Sequence, residues 1–304
     1  MSNNTLAIKR SPLFYVGDKY KLMKQILDYI PKGINNFYEP FVGGGTVFLN
    51  INAKNYVLND INKHLINIHK FLVESSDDPG AFFNKTNKII KKYKLSHSYL
   101  MDIVPDTLKK KHKKTYYAHF NKQGYDSLKS QVNLAKVNDP LILYLLLIYG
   151  FNRMLRFNGG GKFNLPVGNV DFNKNVEKAL LNYFSFCSVH NIKFYNLDFE
   201  RFLKTKVYSK SDYIYLDPPY LITSSEYNKI WNEDTEKRLY SLLDDLNEAG
   251  IRFGLSNITH YKDKRNRILI DWMKKYNTNN IQSNYISYHD NSNKIIKEVF
   301  ITNY

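Results

Sequence analysis

An apolar run that ends in two successive prolines is the feature that most constrains the fold of this chain. Residues 213–216 read Tyr-Ile-Tyr-Leu and are followed by Asp217, Pro218, Pro219 and Tyr220. A run of this length and composition predicts a buried β-strand. The strand must end at Asp217, because proline has no N–H to donate and restricts the residue before it. In an open α/β sheet, ligands bind beyond the carboxyl ends of the strands, so we expect a ligand site here.

The groups at this strand end suit a planar substrate with an exocyclic amino group, such as adenine. The carboxylate of Asp217 and the backbone carbonyl of Pro218 are two hydrogen-bond acceptors, and Tyr220 adds an aromatic face. The alternative is an ordinary Pro-Pro turn with no function. A cofactor site elsewhere in the chain would favour the first interpretation.

A pair of features further upstream predicts such a cofactor site. Gly43-Gly44-Gly45 lies between a predicted strand and a predicted helix start within residues 37–48, and Asp60 ends the next predicted strand, residues 56–60. Glycine permits close approach of a ligand to the backbone, and an acid at this place can accept hydrogen bonds from a ribose. No lysine follows as in a P-loop, and Phe48 stands where a dinucleotide fingerprint has its third glycine. A nucleoside cofactor such as S-adenosylmethionine fits better, and a plain tight turn is the alternative.

The remaining periodic segments predict an α/β fold. We expect a sheet that begins with a βαβ unit and continues with strands at residues 193–199 and 251–256. Helices are predicted at residues 22–30, 61–72 and 234–248, the last one closed by Gly250. Residues 284–289 and 297–304, joined by residues 290–293, predict a closing antiparallel hairpin.

The middle of the chain has a different character. Residues 85–122 contain eleven lysines and two acids in a pattern that allows helices. An apolar helix is predicted at Pro140–Phe151, followed by a β-hairpin over residues 152–168 with a tight turn at Asn158-Gly159. A hairpin of this size fits a DNA major groove. We therefore predict that residues 76–169 are inserted into one α/β domain formed by residues 1–75 and 170–304; the family resemblance described below implies that the insertion is the target-recognition domain and the remainder the catalytic domain.

The charge of the chain points to a polyanionic partner. Lysine and arginine number 44 against 28 acids, which gives a formal net charge of +16 over 304 residues. Such an excess is typical of proteins that bind nucleic acid. The alternative is a basic surface that serves only solvation, and the lysine run of residues 85–122 has the same alternative.

The cysteine content and the apolar segments predict a cytoplasmic protein with no membrane partner. Cys187 is the only cysteine, so neither a disulfide framework nor a cysteine-based zinc site can form within the chain. The histidines show no ligand spacing, and no metal is expected. The first residues contain no apolar run of signal-peptide length, and residues 141–151 are too short to cross a bilayer.

Taken in order, these motifs resemble those of the Dam-type adenine-N6 DNA methyltransferases, the D12 class or α-group. The resemblance rests on Tyr15-Val-Gly-Asp-Lys19, Phe41-Val-Gly-Gly-Gly45, Asp60-Ile-Asn62, Leu197-Asp198-Phe199 and Asp217-Pro-Pro-Tyr220. It implies a Rossmann-like methyltransferase sheet that binds S-adenosylmethionine, with an inserted, mainly helical DNA-recognition domain that carries a β-hairpin. It also implies methyl transfer to an adenine flipped out of duplex DNA, in a restriction-modification or DNA-protection setting with a separately encoded endonuclease as a further partner.

The resemblance assigns roles to individual residues. The catalytic set is Asp217, Pro218, Pro219 and Tyr220, which would hold the flipped base. The cofactor would be bound by Tyr15, Lys19, Phe41, Gly43, Gly45, Asp60, Asp198, Phe199 and Asp217. Among these residues, Asp60 would hold the ribose, and Asp198 would accept a hydrogen bond from the adenine amine of the cofactor. The DNA would be contacted by Phe151, Asn152, Arg156, Lys109, Lys110, Lys111, Lys113 and Lys114, with Arg156 reading a guanine and Phe151 wedging into the stack.

Two departures from the family pattern bear on the target sequence. Phe14 stands where the family often has a lysine that touches a guanine of GATC, so we expect a recognition site other than GATC. The hairpin begins Asn152-Arg153-Met154, where an Asn-Gly-Leu version is more usual. Methyltransferases that act on RNA adenine, on cytosine N4 or on a protein glutamine remain alternatives, although those groups typically have Asn or Ser in place of Asp217. A catalytically inactive DNA-binding module is a further alternative.

Overall fold

The structure, a computed structural model, describes residues 7–101, 103–135, 139–223, 231–282 and 296–304. A mixed central sheet contains eight strands within these ranges. The strands are β1 (Ile34–Glu39), β2 (Ala53–Asn59), β3 (Asn191–Tyr195), β4 (Tyr213–Leu216), β5 (Arg252–Tyr261), β6 (Lys264–Arg265), β7 (Asn277–Ile281) and β8 (Ile296–Thr302). Their order is β3-β2-β1-β4-β5-β8-β7, with β6 paired to β5 outside this path.

The order of the strands places a topological switch point between β1 and β4. The strands β3, β2, β1, β4 and β5 are mutually parallel, while β8 lies antiparallel between β5 and β7. The chain proceeds outward from β1 to β2 and β3, then returns to place β4 on the other side of β1. The direction of winding therefore changes between β1 and β4, which is where open α/β sheets bind ligands beyond the carboxyl ends of their strands.

Ten helices accompany the sheet in the described ranges. They are α1 (Met23–Leu27), α2 (Lys63–Glu74), α3 (Pro79–Lys92), α4 (Asp106–Lys111), α5 (Tyr116–Ala135), α6 (Pro140–Tyr149), α7 (Lys174–Cys187), α8 (Phe199–Lys204), α9 (Glu233–Glu248) and α10 (Arg267–Trp272). Side chains at several helix starts accept hydrogen bonds from the first free N–H groups, as Asn62 does from His64 and Leu65. No helix in these ranges is long and apolar enough to cross a bilayer.

Apolar layers cover both faces of the sheet, and β4 shows why its sequence is apolar throughout. All four of its residues are buried; Tyr213 and Tyr215 point into one hydrophobic core, while Ile214 and Leu216 point into the other. Successive side chains of a strand alternate between faces, so a strand covered on both faces has no polar position.

The helix α6 belongs to the larger of the two cores. All nine of its residues from Leu141 to Tyr149 are buried, and α6 packs against α2 and α5. The hydroxyl of Tyr144 donates to the carbonyl of Pro12 at 3.1 Å. A helix that is apolar on every side is expected only where neighbours surround it. The division into residues 76–169 and the rest stays a prediction, and α6 ties the two parts together.

The structure confirms the main elements expected from the sequence and changes several of their bounds. The apolar strand before Asp217 and the helix closed by Gly250 are present as β4 and α9, and residues 85–122 are mostly helical. The first helix is one short turn rather than residues 22–30. The strand predicted at residues 193–199 ends at Tyr195, because Asp198 caps α8. The helix start expected near Phe48 is only a 3₁₀ turn, and α6 ends two residues early at Tyr149.

Two predicted hairpins also differ. The turn after Asn158 has three residues instead of two: Asn158 donates to the carbonyl of Lys162, and the positive φ, +71°, falls at Gly161 rather than at Asn158-Gly159. The flanks pair at Phe157 and Phe163 only, apart from the bridge at the hairpin base. This is a turn with a glycine bulge, a common way to close a hairpin. Residues 284–293 of the predicted closing hairpin lie outside the described ranges; β8 pairs instead with β5 and β7.

Candidate active site

The glycine turn after β1 is a tightly packed cradle. Gly43 and Gly45 have φ angles of +48° and +80°, which favour glycine. A Cβ on Gly45 would lie 2.5 Å from a ring carbon of Phe48, and one on Gly44 would lie 2.8 Å from the Cβ of Tyr15. Gly44 and Gly45 therefore allow the backbone to pass where side chains would collide, while a Cβ on Gly43 would meet nothing within 4 Å. Tyr15, from the predicted amino-terminal motif, forms one wall of this cradle.

The carboxylate of Asp60 closes the turn from the neighbouring strand. Its Oδ2 accepts from the N–H of Gly43 at 3.0 Å, and its Oδ1 accepts from the N–H of Asn62 at 2.8 Å. Burial raises the pKa of Asp60 to about 6, although both N–H donors favour the charged form. The strand ends of β1 and β2 thus place the predicted ribose acceptor directly against the glycine turn.

Two residues that sequence reasoning missed hold this arrangement in place. The side chain of Asn59 donates to the carbonyls of Pro40 and Leu197, both at 3.0 Å, and accepts from the N–H of Leu197. The buried ring of His69 contacts the carbonyl of Gly43 at 2.9 Å through Nε2 and the hydroxyl of Tyr183 at 3.0 Å through Nδ1. Burial lowers the pKa of His69 to about 4, so the ring is neutral. The sequence offered two signals for these residues. Asn59 is a polar residue directly before Asp60, and His69 lies on the apolar face of α2.

An aromatic cluster lies beside the strand ends. The rings of Phe41, Phe199 and Trp231 contact one another with centroid separations of 5.5 to 5.7 Å. Phe199 is buried, while Asp198 is exposed and accepts from the N–H of Glu200 at 2.9 Å as the cap of α8. The cluster places apolar rings next to Asp198.

The acid at the end of β4 is held by a buried cation. Lys19 Nζ lies 2.6 Å from Asp217 Oδ2, and only 5% of the Lys19 side chain is exposed. The hydroxyl of Tyr220 donates to Asp217 Oδ1 at 3.1 Å and lies 3.3 Å from Oε1 of Glu298 on β8. The Lys19 ammonium also lies 5.2 Å from the centre of the Tyr220 ring. The amino-terminal motif and the Asp-Pro-Pro-Tyr motif therefore meet at one carboxylate.

Two further carboxyl groups surround this pair, and sequence reasoning missed both. Glu39, the last residue of β1, and Glu298 are both almost fully buried. Burial, and next the negative charge of Asp217, raise the pKa of Glu39 well above its usual range. Lys19 and Asp60 contribute smaller effects in opposite directions. Lys19 is thus a positive charge within a group of acids.

Comparison with known proteins decides the family. Residues 15–298 match the family model of the D12 class N6 adenine-specific DNA methyltransferases. The chain belongs to this family. It is 34% identical over 306 residues to "Modification methylase StsI" of Streptococcus sanguinis and 33% identical over 304 residues to "Type II methyltransferase M.FokI" of Planomicrobium okeanokoites. Each match covers 97% of this chain and 43% of the relative. A "DNA adenine methylase" of Salmonella typhi is 28% identical over 231 residues, which cover 72% of this chain and 68% of the relative.

In this D12-class chain, the predicted DNA-binding residues form two neighbouring regions. Four of the five lysines, Lys110, Lys111, Lys113 and Lys114, are exposed on α4 and the turn after it, and Lys109 is half-buried near Asp106. Asn169, next to the hairpin base, donates to the carbonyl of Lys114 at 2.7 Å and accepts from the N–H of Ala118. The lysine run and the hairpin base are therefore in direct contact.

The hairpin residues of the D12-class chain are not equally available to a ligand. Phe151 is 52% exposed, and Asn152 has a positive φ of 53°. Arg156 donates from Nε to Oδ1 of Asn164 and from Nη2 to its carbonyl, both at 2.9 Å. This side chain joins the two flanks of the hairpin, which leaves its Nη1 group for a further contact. Its role as a guanine reader stays a prediction.

Proposed function

We propose that this chain is a site-specific DNA adenine-N6 methyltransferase that flips an adenine from duplex DNA and methylates its exocyclic amine. The observation that carries the proposal is the position of Asp217. Its carboxylate lies at the end of β4, directly across the switch point from the glycine turn and Asp60 at the ends of β1 and β2. An acceptor for an amine and a cradle for a nucleoside thus lie on the two sides of the switch point.

The cradle fits S-adenosylmethionine, which supplies the electrophilic methyl group. The glycine turn offers backbone close to a ligand, Asp60 is placed to accept from ribose hydroxyls, and Tyr15 walls the turn. Phe41 and Phe199 provide an apolar contact for the cofactor adenine. Asp198 would accept a hydrogen bond from the amine of this adenine. These contacts support the proposal that the residues predicted from the sequence bind S-adenosylmethionine.

The chemical role of Asp217 is to hold a weak nucleophile in the reactive geometry. The lone pair of an adenine amine is delocalised into the ring, and two acceptors, Asp217 and the Pro218 carbonyl, would hold its hydrogens and let the nitrogen pyramidalise. Each carboxylate oxygen can accept more than one hydrogen bond, so Asp217 can serve the amine while Lys19 and Tyr220 hold it. The gain comes from positioning and preorganised charges. Tyr220 would stack on the flipped base and offset part of the unstacking cost.

An assay of methyl transfer tests the proposal. The chain is incubated with tritiated S-adenosylmethionine and duplex DNA, and the digested nucleosides are separated to identify the methylated base. We expect N6-methyladenine in DNA. Methylation of cytosine N4 or of RNA would support the alternative substrates, while DNA binding without any transfer would support an inactive module.

The names of two relatives support a biological setting for this activity. The methylases of Streptococcus sanguinis and Planomicrobium okeanokoites are named as a modification methylase and a type II methyltransferase, although the chain spans less than half of each. We therefore include in the proposal a role in DNA protection, alongside a separately encoded endonuclease. A cytoplasmic location belongs to the same proposal.

The pH dependence of cofactor binding tests the role of Asp60. The pKa of Asp60 is raised to about 6, so its carboxylate gains a proton as the pH falls through that value. A protonated carboxyl is a weaker acceptor, and we expect the Kd for S-adenosylmethionine to rise about tenfold per pH unit below 6 if only the charged form binds. Isothermal titration between pH 5 and 8 measures this change. Asp60→Asn is the control, and it should bind weakly at every pH; an identical pH profile in the wild type and the variant would contradict the role.

The salt dependence of DNA binding tests the lysine run. Replacing Lys109, Lys110, Lys111, Lys113 and Lys114 with glutamine should weaken binding to all duplexes about equally, because phosphates carry no sequence information. The slope of log K against log salt should flatten by up to about one unit per lost contact. The matched control is a quintuple variant at exposed lysines of the catalytic part: Lys204, Lys210, Lys237, Lys274 and Lys275. Equal slopes for the wild type and the first variant would show that these lysines do not contact phosphates and serve only as solvated surface.

A further inference from the structure

The ring of Phe14 holds two guanidinium groups. The Cζ atom of Arg153 lies 4.3 Å from the ring centroid, and that of Arg10 lies 4.6 Å from it. Phe14 is only 8% exposed and has a positive φ of 47°. Guanidinium groups are attracted to aromatic faces, and such contacts fix the plane of the side chain. Phe14 therefore acts as a support that orients two arginines.

The two arginines differ in how their charges are balanced. Arg10 forms an ion pair with Asp18 at 3.0 Å. Among the described residues, Arg153 has no ion pair, and its Nε has no hydrogen-bond acceptor. Burial lowers the pKa of Arg153 to about 10. The nearby Arg10 lowers this pKa further, while Tyr144 and Asp171 raise it. The guanidinium therefore stays cationic at neutral pH. Asp18 pairs with Arg10, and the negative charge of Asp171 favours the charged form of Arg153. The terminal N–H groups of this cation suit an acceptor supplied by a ligand.

The backbone beneath Arg153 is strained and firmly held. Asn152 and Arg153 have consecutive φ angles of 53° and 48°, a left-handed conformation that non-glycine residues seldom adopt. The turn is fixed by the hairpin base, where the N–H of Phe151 donates to the carbonyl of Pro166 at 2.9 Å. A Cβ on Gly168 would lie 2.7 Å from the carbonyl of Gly150, so the two segments pack without space between them. Strain that surrounding contacts maintain is typical of functional sites.

The same ring is linked to the cofactor cradle. Tyr15, the next residue, lies against Gly44, and the hydroxyl of Ser11 donates to the carbonyl of Gly44. Because the N–H of Phe14 donates to the carbonyl of Ser11 at 3.3 Å, residues 11–15 form one compact segment. Arg153 is thus supported by the segment that also forms a wall of the proposed methyl-donor site.

We propose that Arg153, stacked on Phe14, is a specificity-determining contact that reads a guanine of the recognition sequence. The inference rests on the proposed function. Arginine in the major groove most often pairs with guanine O6 and N7. Arg156, the reader predicted from the sequence, uses Nε and Nη2 to join the hairpin flanks, whereas Arg153 is held by a ring and keeps its terminal N–H groups for a base. The exposed Phe151 lies two residues away.

The test is the sequence preference of methylation on a library of duplexes with randomised positions around an adenine. For Arg153→Ala, we expect preference for guanine at one position to fall at least about tenfold, with the other positions unchanged. Arg153→Lys keeps the charge but not the planar fork, so it should show the same loss at that position. Phe14→Leu removes the support and should relax the same position. Arg238→Ala, an arginine of α9 paired with Glu200, is the matched control and should leave the preference intact.

The outcomes distinguish a base contact of Arg153 from a phosphate contact, and both from a failure of the proposed function. Unchanged preference in Arg153→Ala with uniformly weaker binding would make Arg153 a phosphate contact and overturn the proposal, as would full rescue by Arg153→Lys. If Arg153→Ala fails to fold, as judged by circular dichroism and by S-adenosylmethionine binding, the other two variants decide: a preference unchanged in both overturns the proposal. Absence of methylation by the wild-type chain would instead be a failure of the proposed function.

Discussion

Replacing Asp217 with alanine is expected to lower the rate of methyl transfer roughly 10²–10³-fold or more, the loss typical when one preorganised polar group at a reacting centre is removed. The carboxylate would hold a hydrogen of the attacking amine, and Lys19 at 2.6 Å and the hydroxyl of Tyr220 at 3.1 Å fix its position. Single-turnover kinetics on duplex DNA measure the loss directly. Affinity for DNA should remain nearly intact, and binding of S-adenosylmethionine should be weakened but measurable.

A second variant at the same position separates chemistry from folding. Removal of Asp217 leaves the Lys19 ammonium buried without this partner, and breaking a buried pair destabilises proteins by about 3–5 kcal/mol. Asp217→Asn keeps the volume and one acceptor oxygen, so it should fold more stably than Asp217→Ala and still transfer methyl groups very slowly. Asp234→Ala, at an exposed acid of α9, controls for loss of an acid elsewhere. A decrease of only a few-fold in turnover for both Asp217 variants would contradict the assigned role.

Replacing Lys19 with methionine is expected to produce the second-largest effect, a loss of methyl transfer of about 100-fold or more. Lys19 is the cation that faces Asp217, and Glu39 and Glu298 are buried in the same region. Without the ammonium, the negative charge of Asp217 is opposed by fewer positive groups, and nearby carboxyls disfavour it. Methionine keeps the apolar stem, so the packing of this buried side chain should change little. Rates and S-adenosylmethionine affinities are measured on the same preparations.

A conservative variant of Lys19 distinguishes the effect of its charge from the effect of its shape. Lys19→Arg retains the positive charge and should recover a substantial part of the rate lost in Lys19→Met, with the remainder reflecting the larger guanidinium. If Lys19→Met weakens cofactor binding but keeps the wild-type single-turnover rate at saturation, Lys19 serves the cofactor alone, and its contact with Asp217 has no catalytic effect. Equal losses in both variants would point to packing rather than to charge.

The amino-acid sequence by itself determined the elements whose signals are local. Four apolar residues followed by Asp217 and two prolines predicted β4 and its end, because a short apolar run and the lack of proline N–H groups act within a few residues. The glycines of residues 43–45 predicted the cradle, since only glycine tolerates these φ angles and close approaches. The order of the motifs predicted the family, and Asp60 was expected where it is found.

Only the tertiary structure decided which side chains from distant segments meet. Lys19 and Asp217 are 198 positions apart in the sequence, and nothing near either residue specifies their contact. The support of the cradle by His69 and Asn59, the carboxyl groups Glu39 and Glu298, and the stack of Arg153 on Phe14 were invisible for the same reason. Such contacts arise when strand order and helix packing bring remote residues together, and local periodicity carries no information about them. The turn near Gly161 shows this limit at short range, because the pairing of the flanks, rather than the Asn-Gly dipeptide, determined where the positive φ falls.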